Sequence, residues 1–223
     1  NTPGVLTNAT ADLTWALILA SARRLGESER VLRAGKWHGW GILQFLGQEI
    51  GGRTLGIVGG GRIGHAVAKR ARGFDMPILY TARSPKPEMD AIGARLVNLE
   101  TLLRESDFVS LHVPLAAETK HLIGAKELAL MKSTAHLINT ARGPIVDENA
   151  LVEALKHKRI AGAGLDVFEE EPKIHPGLFE LENAVLLPHI GSATTETRGK
   201  MADMAANNCA AVLKGKKALN PVN

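Results

Sequence analysis

The sequence predicts an α/β protein built on a doubly wound parallel sheet, and three observations carry that prediction. Short apolar runs recur along the chain, whole helical patterns separate them, and the first run feeds a glycine cluster that opens a helix. Parallel strands need such crossovers, because a tight turn can only reverse the chain.

The elements follow in order. Thr7 is placed to N-cap a long helix running to Ala34, with Leu13, Leu17 and Ala20 on one face. A loop with Trp37, Trp40 and several glycines comes next. Leu55–Val58 reads as the first strand, followed by a helix through Ala66, Val67, Ala68 and Ala71. Ile78–Tyr80 is the second strand, and Ser84-Pro-Lys-Pro87 breaks the pattern. A short helix spans Leu99–Arg104, and the apolar run Phe108–Leu111 stops at Pro114. A helix near Ala125–Met131 and a strand Ala135–Ile138 follow. Asp147 caps a helix Glu148–Lys156, which leads to a strand Ala161–Val167. The last strand, Ala184–Leu187, ends at Pro188-His189. A closing helix over Thr194–Lys214 has Met201, Met204 and Val212 as core.

Composition bounds the function. The chain has 223 residues, enough for a sizeable core. Its net charge of +4 comes from scattered Lys and Arg, so no nucleic-acid patch stands out. No apolar run is long enough to span a bilayer and no signal peptide is seen. Cys209, the single cysteine, excludes an internal disulfide framework and reads as a small buried residue of the last helix. Together these point to the cytoplasm. No His or Cys pair has metal-ligand spacing. The chain opens at Asn1-Thr-Pro-Gly without a methionine and reads as a piece of a longer protein.

The sharpest motif is Gly59-x-Gly61-x-x-Gly64, between a strand and a helix. In a Rossmann-like unit Gly59 permits the tight turn, Gly61 lets the backbone approach a pyrophosphate, and Gly64 lets helix pack on strand. The first helical residues, Arg62 and Ile63, then present N–H groups and the positive dipole end to the phosphates. Ligands of such sheets bind beyond the carboxyl ends of the strands. The residues at those ends are Thr81–Ser84, Val113-Pro114, Thr140-Ala-Arg142-Gly, Asp166 and His189-Ile-Gly191. Each has an ordinary loop reading, but they occur at five successive strand ends.

Four motifs carry a resemblance: Gly59-Gly-Gly-Arg-Ile-Gly64, Asn139-Thr-Ala-Arg-Gly143, Gly164-Leu-Asp-Val-Phe-Glu-Glu-Glu-Pro172 and Pro188-His-Ile-Gly-Ser-Ala-Thr194. In this order they resemble the D-isomer-specific 2-hydroxyacid dehydrogenases, and within them the glyoxylate/hydroxypyruvate reductase branch. The resemblance implies that residues 1–190 form the NAD(P)-binding domain with an N-terminal dimerisation helix. Residues 191–223 would then return to a flavodoxin-like substrate domain that is mostly absent. It implies reduction of a small 2-keto acid, and that this chain alone binds nucleotide without turnover, since the carboxylate-binding loop of the missing part is needed.

The chemistry then falls to Arg142, Glu171 and His189. Reduction of a 2-keto acid needs a hydride at C2 and a proton on the carbonyl oxygen. Histidine, titrating near pH ~6.5, is the natural proton donor, and a neighbouring carboxylate favours its charged form. Glu171 is the family-matched partner, chosen over Glu169 and Glu170 by the motif alone. Arg142 would bind the substrate carboxylate with its planar fork. The plainer readings are a strand-closing histidine, a solvated acidic run and a carbonyl-capping arginine. Asp166 lies near the nicotinamide or ribose in the family, or else caps the following turn. His112 is a strand-end residue near the cofactor.

The end of the second strand bears on the cofactor. NAD-dependent relatives usually place an acid there, whereas this chain has Thr81-Ala-Arg83-Ser84-Pro-Lys86, with Glu88 and Asp90 further on. Arg83 can pair with a 2′-phosphate, Ser84 lies beside it and Lys86 adds charge, so NADP(H) is preferred with NAD(H) allowed. The alternative is a solvated turn. The cofactor set is thus Gly59, Gly61, Arg62, Ile63, Gly64, Arg83, Ser84, Lys86, Pro114, Thr140, Asp166 and Gly191. The partner expected is a second copy, joined through the Thr7–Ala34 helix and the Trp37/Trp40 loop, with Trp40 reaching the neighbouring site. Two rivals stay open: an NAD-dependent relative of other specificity, and a nucleotide-sensing corepressor.

Overall fold

The computed structural model describes residues 1–221. Its strands are β1 (Leu55–Val58), β2 (Ile78–Thr81), β3 (Arg95–Leu96), β4 (Phe108–Leu111), β5 (His136–Asn139), β6 (Gly162–Leu165) and β7 (Ala184–Leu186). They form one parallel sheet in the order β3-β2-β1-β4-β5-β6-β7. The order reverses at β1, whose neighbours are β2 and β4, so the crevice where Rossmann ligands bind opens beyond Val58.

Strands buried on both faces explain why the predicted runs are continuously apolar rather than alternating. Ile57, Tyr80, Phe108 and Ile138 point to one face, and Val58, Leu79, Val109 and Leu137 to the other. The first face is covered by α1 (Thr7–Ala22) and α3 (Arg62–Ala71). The second is covered by α5 (Leu99–Glu105), α6 (Ala125–Leu130) and α7 (Glu148–Lys156). The chain also forms α2 (Leu25–Arg33), two single-turn helices α4 (Pro87–Asp90) and α8 (Pro176–Phe179), and α9 (Thr195–Leu213).

Several expectations are corrected. The predicted Thr7–Ala34 helix is two helices, because Arg24 takes a left-handed conformation (φ 53°, ψ 37°) between them. That turn is held by the Arg24 guanidinium, whose Nε and Nη2 both reach Glu27 at 2.7 Å. Leu6, not Thr7, occupies the N-cap position, and no side chain caps the helix. The apolar side of α1 is spent within the chain. Trp15 stacks on Phe74 at 4.6 Å and its Nε1 donates to the Val67 carbonyl at 3.0 Å. The pattern break at Ser84-Pro-Lys-Pro87 contains the start of α4, with Pro87 at its first position, and leads to the unpredicted strand β3.

The closing helix lies on the outside. It is capped by Thr194, whose Oγ1 accepts from the Thr197 N–H at 3.1 Å. It buries Thr197 and Ala211 only; Met201 and Met204 are half-buried and Val212 is exposed, so these three are not core. Cys209 on the same helix is exposed, not buried. No helix among the described residues is long and apolar enough to cross a membrane.

Candidate active site

A cleft of about 740 Å³ opens beyond the carboxyl ends of β1, β4, β5 and β6. Gly61, Arg62, Ile63, Pro114, Thr140, Arg142, Asp166, His189 and Gly191 line it, as expected from their places at strand ends. Gly59 and Gly64 shape the turn behind it. Gly59 has φ +105°, and a Cβ there would fall 2.7 Å from the His112 backbone, so the loop cannot accept a side chain. At Gly64 a Cβ would lie 2.1 Å from the Gly59 carbonyl oxygen, which makes the glycine necessary for α3 to close on β1.

Gly61 differs: a Cβ there would meet nothing within 4 Å, so its backbone faces open space at the cleft. It also N-caps α3 without a side-chain hydrogen bond. The N–H groups of the first turn therefore remain available to an anion, with the helix dipole favouring one. These residues fit a dinucleotide pyrophosphate.

At the other side of the cleft, His189 follows β7 with a left-handed backbone (φ 54°). Its N–H donates to the Asp166 carbonyl at 2.9 Å, which turns the ring out of the strand. Nδ1 lies 2.7 Å from Glu171 Oε2, leaving Nε2 without a hydrogen-bond partner among the described residues. Glu171 does not itself line the cleft; it stands behind the histidine, and its Oε1 accepts from the Phe168 N–H at 3.0 Å. Partial burial would raise the Glu171 carboxyl, but His189, the Phe168 N–H and the charge of Arg142 outweigh it and hold it below the usual value. Glu169 bonds His121 instead, and Glu170 pairs with Lys173 at the surface, so of the three acids only Glu171 meets the histidine.

Arg142 is exposed on the cleft wall after β5, with Nη1 donating to the Ala141 carbonyl at 2.6 Å. Asn139 braces that turn: its Nδ2 donates to the Arg142 carbonyl and its Oδ1 accepts from the Ala141 N–H, both at 3.0 Å. Asp166 lines the cleft, and its carboxylate ties to the loop after β7 rather than to the turn that follows β6. Its Oδ1 and Oδ2 accept from the Ile190 and Gly191 N–H groups at 2.7 and 2.8 Å. Burial holds its carboxyl above the ordinary value despite these bonds. The Gly191 N–H is thereby engaged and cannot also serve a ligand. His112 is half-buried in the cleft wall with Nε2 2.8 Å from Ser110 Oγ, and desolvation of the ring lowers its pKa to about 3, so the ring is neutral.

Arg83, Ser84 and Lys86 do not line the cleft. They lie past β2, beside the glycine loop, where the Lys86 side chain approaches Gly60. Arg83 is exposed and has no hydrogen bond or ion pair among the described residues. Asp90 is bound to the Tyr80 hydroxyl at 2.8 Å, and that hydroxyl also accepts from the Lys86 N–H at 3.0 Å. The nearby acid is thus tied back.

The structure adds a wall that sequence reasoning missed. Thr2, Pro3, Gly4, Leu6, Thr7 and Thr10 line the cleft ahead of and along the first turn of α1. Thr10 Oγ1 donates to the Gly191 carbonyl at 3.2 Å, joining this wall to the histidine loop. No local motif marks these residues; they arrive because α1 crosses the sheet. Among the described residues no cluster of His, Cys, Asp or Glu is arranged to hold a metal ion.

A parallel sheet with a glycine turn fit for pyrophosphate, and an acid–base pair facing it, defines the class of dinucleotide-dependent dehydrogenases. Comparison with known proteins narrows this. Residues 15–191 match the family described as D-isomer specific 2-hydroxyacid dehydrogenase, NAD binding domain, and the chain belongs to that family of oxidoreductases. It is 60% identical to the glyoxylate reductase of Thermococcus litoralis, over all of this chain and 69% of that protein. A crystal structure of a protein from Thermus thermophilus superposes with TM-score 0.94 at 51% identity, covering 100% of this chain and 70% of the other. The NADPH-dependent glyoxylate/hydroxypyruvate reductase of Sinorhizobium meliloti, solved with NADP and malonate, gives TM-score 0.91 at 40% identity, covering 100% and 69%. The chain spans about two thirds of the length of such relatives.

Proposed function

We propose that this chain is the dinucleotide-binding and proton-donating part of an NADPH-dependent reductase of glyoxylate or a similar small 2-keto acid. The observation that carries the reading is the His189–Glu171 pair at the cleft, with Arg142 on the same wall. Gly61, Arg62 and Ile63 would hold the pyrophosphate. Arg83 and Lys86 would meet a 2′-phosphate, with Asp90 bound to Tyr80. When bound, the nicotinamide supplies the hydride to the carbonyl carbon.

The chain's own residues do the rest. Glu171 fixes the His189 ring through Nδ1, so Nε2 is left to present a proton to the carbonyl oxygen. Arg142 offers a paired donor fork to the substrate carboxylate and its positive charge to the oxygen as negative charge develops there. The keto acid gains a proton from Nε2, and His189 returns to the protonated state from solvent. The known relatives support the substrate class, two of them being reductases of glyoxylate by name.

Two structural assignments belong to the same reading. Residues 1–190 are the nucleotide domain, and residues 191–223, of which 222–223 lie outside the described residues, return to the substrate domain. A second copy binds through α2 and the Trp37/Trp40 loop, since α1 is committed to its own sheet. We place the protein in the cytoplasm, in keeping with its single cysteine.

The test is a paired assay. NADPH should bind this chain in calorimetry. Glyoxylate-dependent NADPH oxidation should appear once the polypeptide also contains the remaining third of its relatives' length. Binding without any such turnover in the longer polypeptide would leave a nucleotide-sensing protein, and the reductase reading would fall.

A further inference from the structure

Glu148 is the first residue of α7 and is 6% exposed, an unusual place for a carboxylate. Its oxygens do not face a cation. Oε1 accepts from the Glu169 N–H at 2.6 Å and Oε2 from the His175 N–H at 3.3 Å. Those two amides flank Glu171 in sequence, so one carboxylate holds both sides of the loop that carries it. Glu169 answers in kind: its Oε2 accepts from the Glu148 N–H at 3.3 Å, and its Oε1 meets His121 Nε2 at 2.5 Å. Beneath the same loop a Cβ at Gly143 would fall 1.8 Å from the Phe168 carbonyl oxygen. The residue next to Arg142 is thus pressed directly against the segment leading to Glu171.

We propose that Glu148 is a positioning residue, a clamp that sets Glu171 at bonding distance from His189 and in register with Arg142. The proposal rests on the proton-donor reading of that pair. Two N–H groups that converge on one side chain require two acceptors. Glutamate supplies both; glutamine supplies one and turns an NH2 group toward the other N–H. A purely space-filling role would tolerate glutamine, and this role does not.

The test follows the His189 ring signal by NMR through a pH titration of this chain, in native, E171Q and E148Q forms. The charged groups facing His189 are Glu171, Asp166 from the end of β6 and, through Glu171, Arg142; the last two stay unchanged in both variants. E171Q should move the titration toward acid, and E148Q should move it the same way by less. NADPH affinity should change by less than about twofold in both. If E171Q moves the signal and E148Q does not, the clamp is wrong and the pair stands. If neither moves it, the proton-donor reading fails and the clamp falls with it. Should E148Q not fold, H175P serves, with H175A as its control for the lost imidazole. It deletes the N–H that Glu148 Oε2 accepts, at a native φ of −58° that proline adopts. H175P should shift the titration beyond H175A, and equal behaviour of the two would overturn the clamp.

Discussion

Glu171 Oε2 stands 2.7 Å from His189 Nδ1, on the side of the ring away from the cleft, so the carboxylate orients the histidine without competing for a substrate. The arrangement divides the work. In the proposed mechanism the histidine would touch the reacting oxygen, and the glutamate would act through it.

Substitutions should separate these roles. In the longer polypeptide, H189A would remove the proposed proton donor and should lower kcat about 100- to 10,000-fold, the usual range for a general acid. E171Q keeps a hydrogen-bonding group beside Nδ1 but loses the charge, and should cost about 10- to 100-fold. Neither should alter NADPH affinity in calorimetry. An E171Q enzyme with native kcat at all pH values would remove Glu171 from the mechanism. The Glu171 carboxyl lies below its ordinary value in the folded protein, so its contribution to stability is present above the usual carboxylate range and is lost as pH falls through the lowered value.

In the proposed reading, cofactor choice turns on Arg83. The residue is exposed just past β2, while Asp90 is held by Tyr80. R83A should weaken NADPH binding by about tenfold or more, roughly 1.4 kcal/mol, and leave NADH binding nearly unchanged. Equal loss for both cofactors would mean that Arg83 supports the loop rather than reading the 2′-phosphate. Native NADPH affinity in R83A would leave the charge at Lys86 as the only candidate of the two.

Much of this was legible because the relevant signals are local. The Gly59–Gly64 spacing specifies a turn whose three glycines have separate steric reasons, and strand ends are where sheet geometry delivers side chains. His189 and Arg142 were therefore found at the cleft. What escaped depends on contacts remote in sequence. Helical periodicity continues through Arg23 and Arg24, so the left-handed break between α1 and α2 leaves no pattern; it is stabilised by the side chain of Glu27. Val212 has the right residue type for a core, yet α9 offers that side to solvent. From sequence Asp166 could face a ligand or cap the turn after it; its carboxylate instead meets the Ile190 and Gly191 amides, remote in sequence, which no local pattern marks. Glu148 occupies a first-turn position that a helix dipole favours for any acid, so its residue type alone does not mark the clamp.

A buried histidine should make folding sensitive to mild acid. His136 begins β5, stacks on Phe108 and bonds Ser21 Oγ through Nδ1 at 2.7 Å, while its buried Nε2 has no partner. A charged ring would need an acceptor at both nitrogens, and burial lowers its pKa to about 4. The unfolded chain takes up this proton near pH ~6.5 and the folded chain does not, so the unfolded state binds more protons between those values. Stability is therefore full above about pH 6.5 and declines toward pH 4, by on the order of 3 kcal/mol from this group. Urea titrations across that range should show the slope. H136L should be less stable near neutrality, by about 1 kcal/mol for the lost Ser21 bond, but flatter with pH. An unchanged slope in H136L would assign the acid sensitivity to other groups.

The segment after α1 predicts the oligomeric state. Helix α2 buries no residue, and the loop beyond it exposes Trp40 at 82% and Leu43 at 77%, with Leu32, Trp37, Ile42 and Leu46 also uncovered. So many exposed large apolar side chains along one short segment are costly to leave in water and point to a binding surface. Tryptophan is a residue type that interfaces use as an anchor. A second copy is the occupant that the reading above requires, so the protein should sediment at twice the chain mass of 23.8 kDa. W40D combined with L43D should shift it to the single-chain mass without changing its circular dichroism, because neither side chain belongs to either core. A native protein that sediments as a monomer at micromolar concentration would sink the dimer. A variant that stays dimeric would move the interface away from this loop.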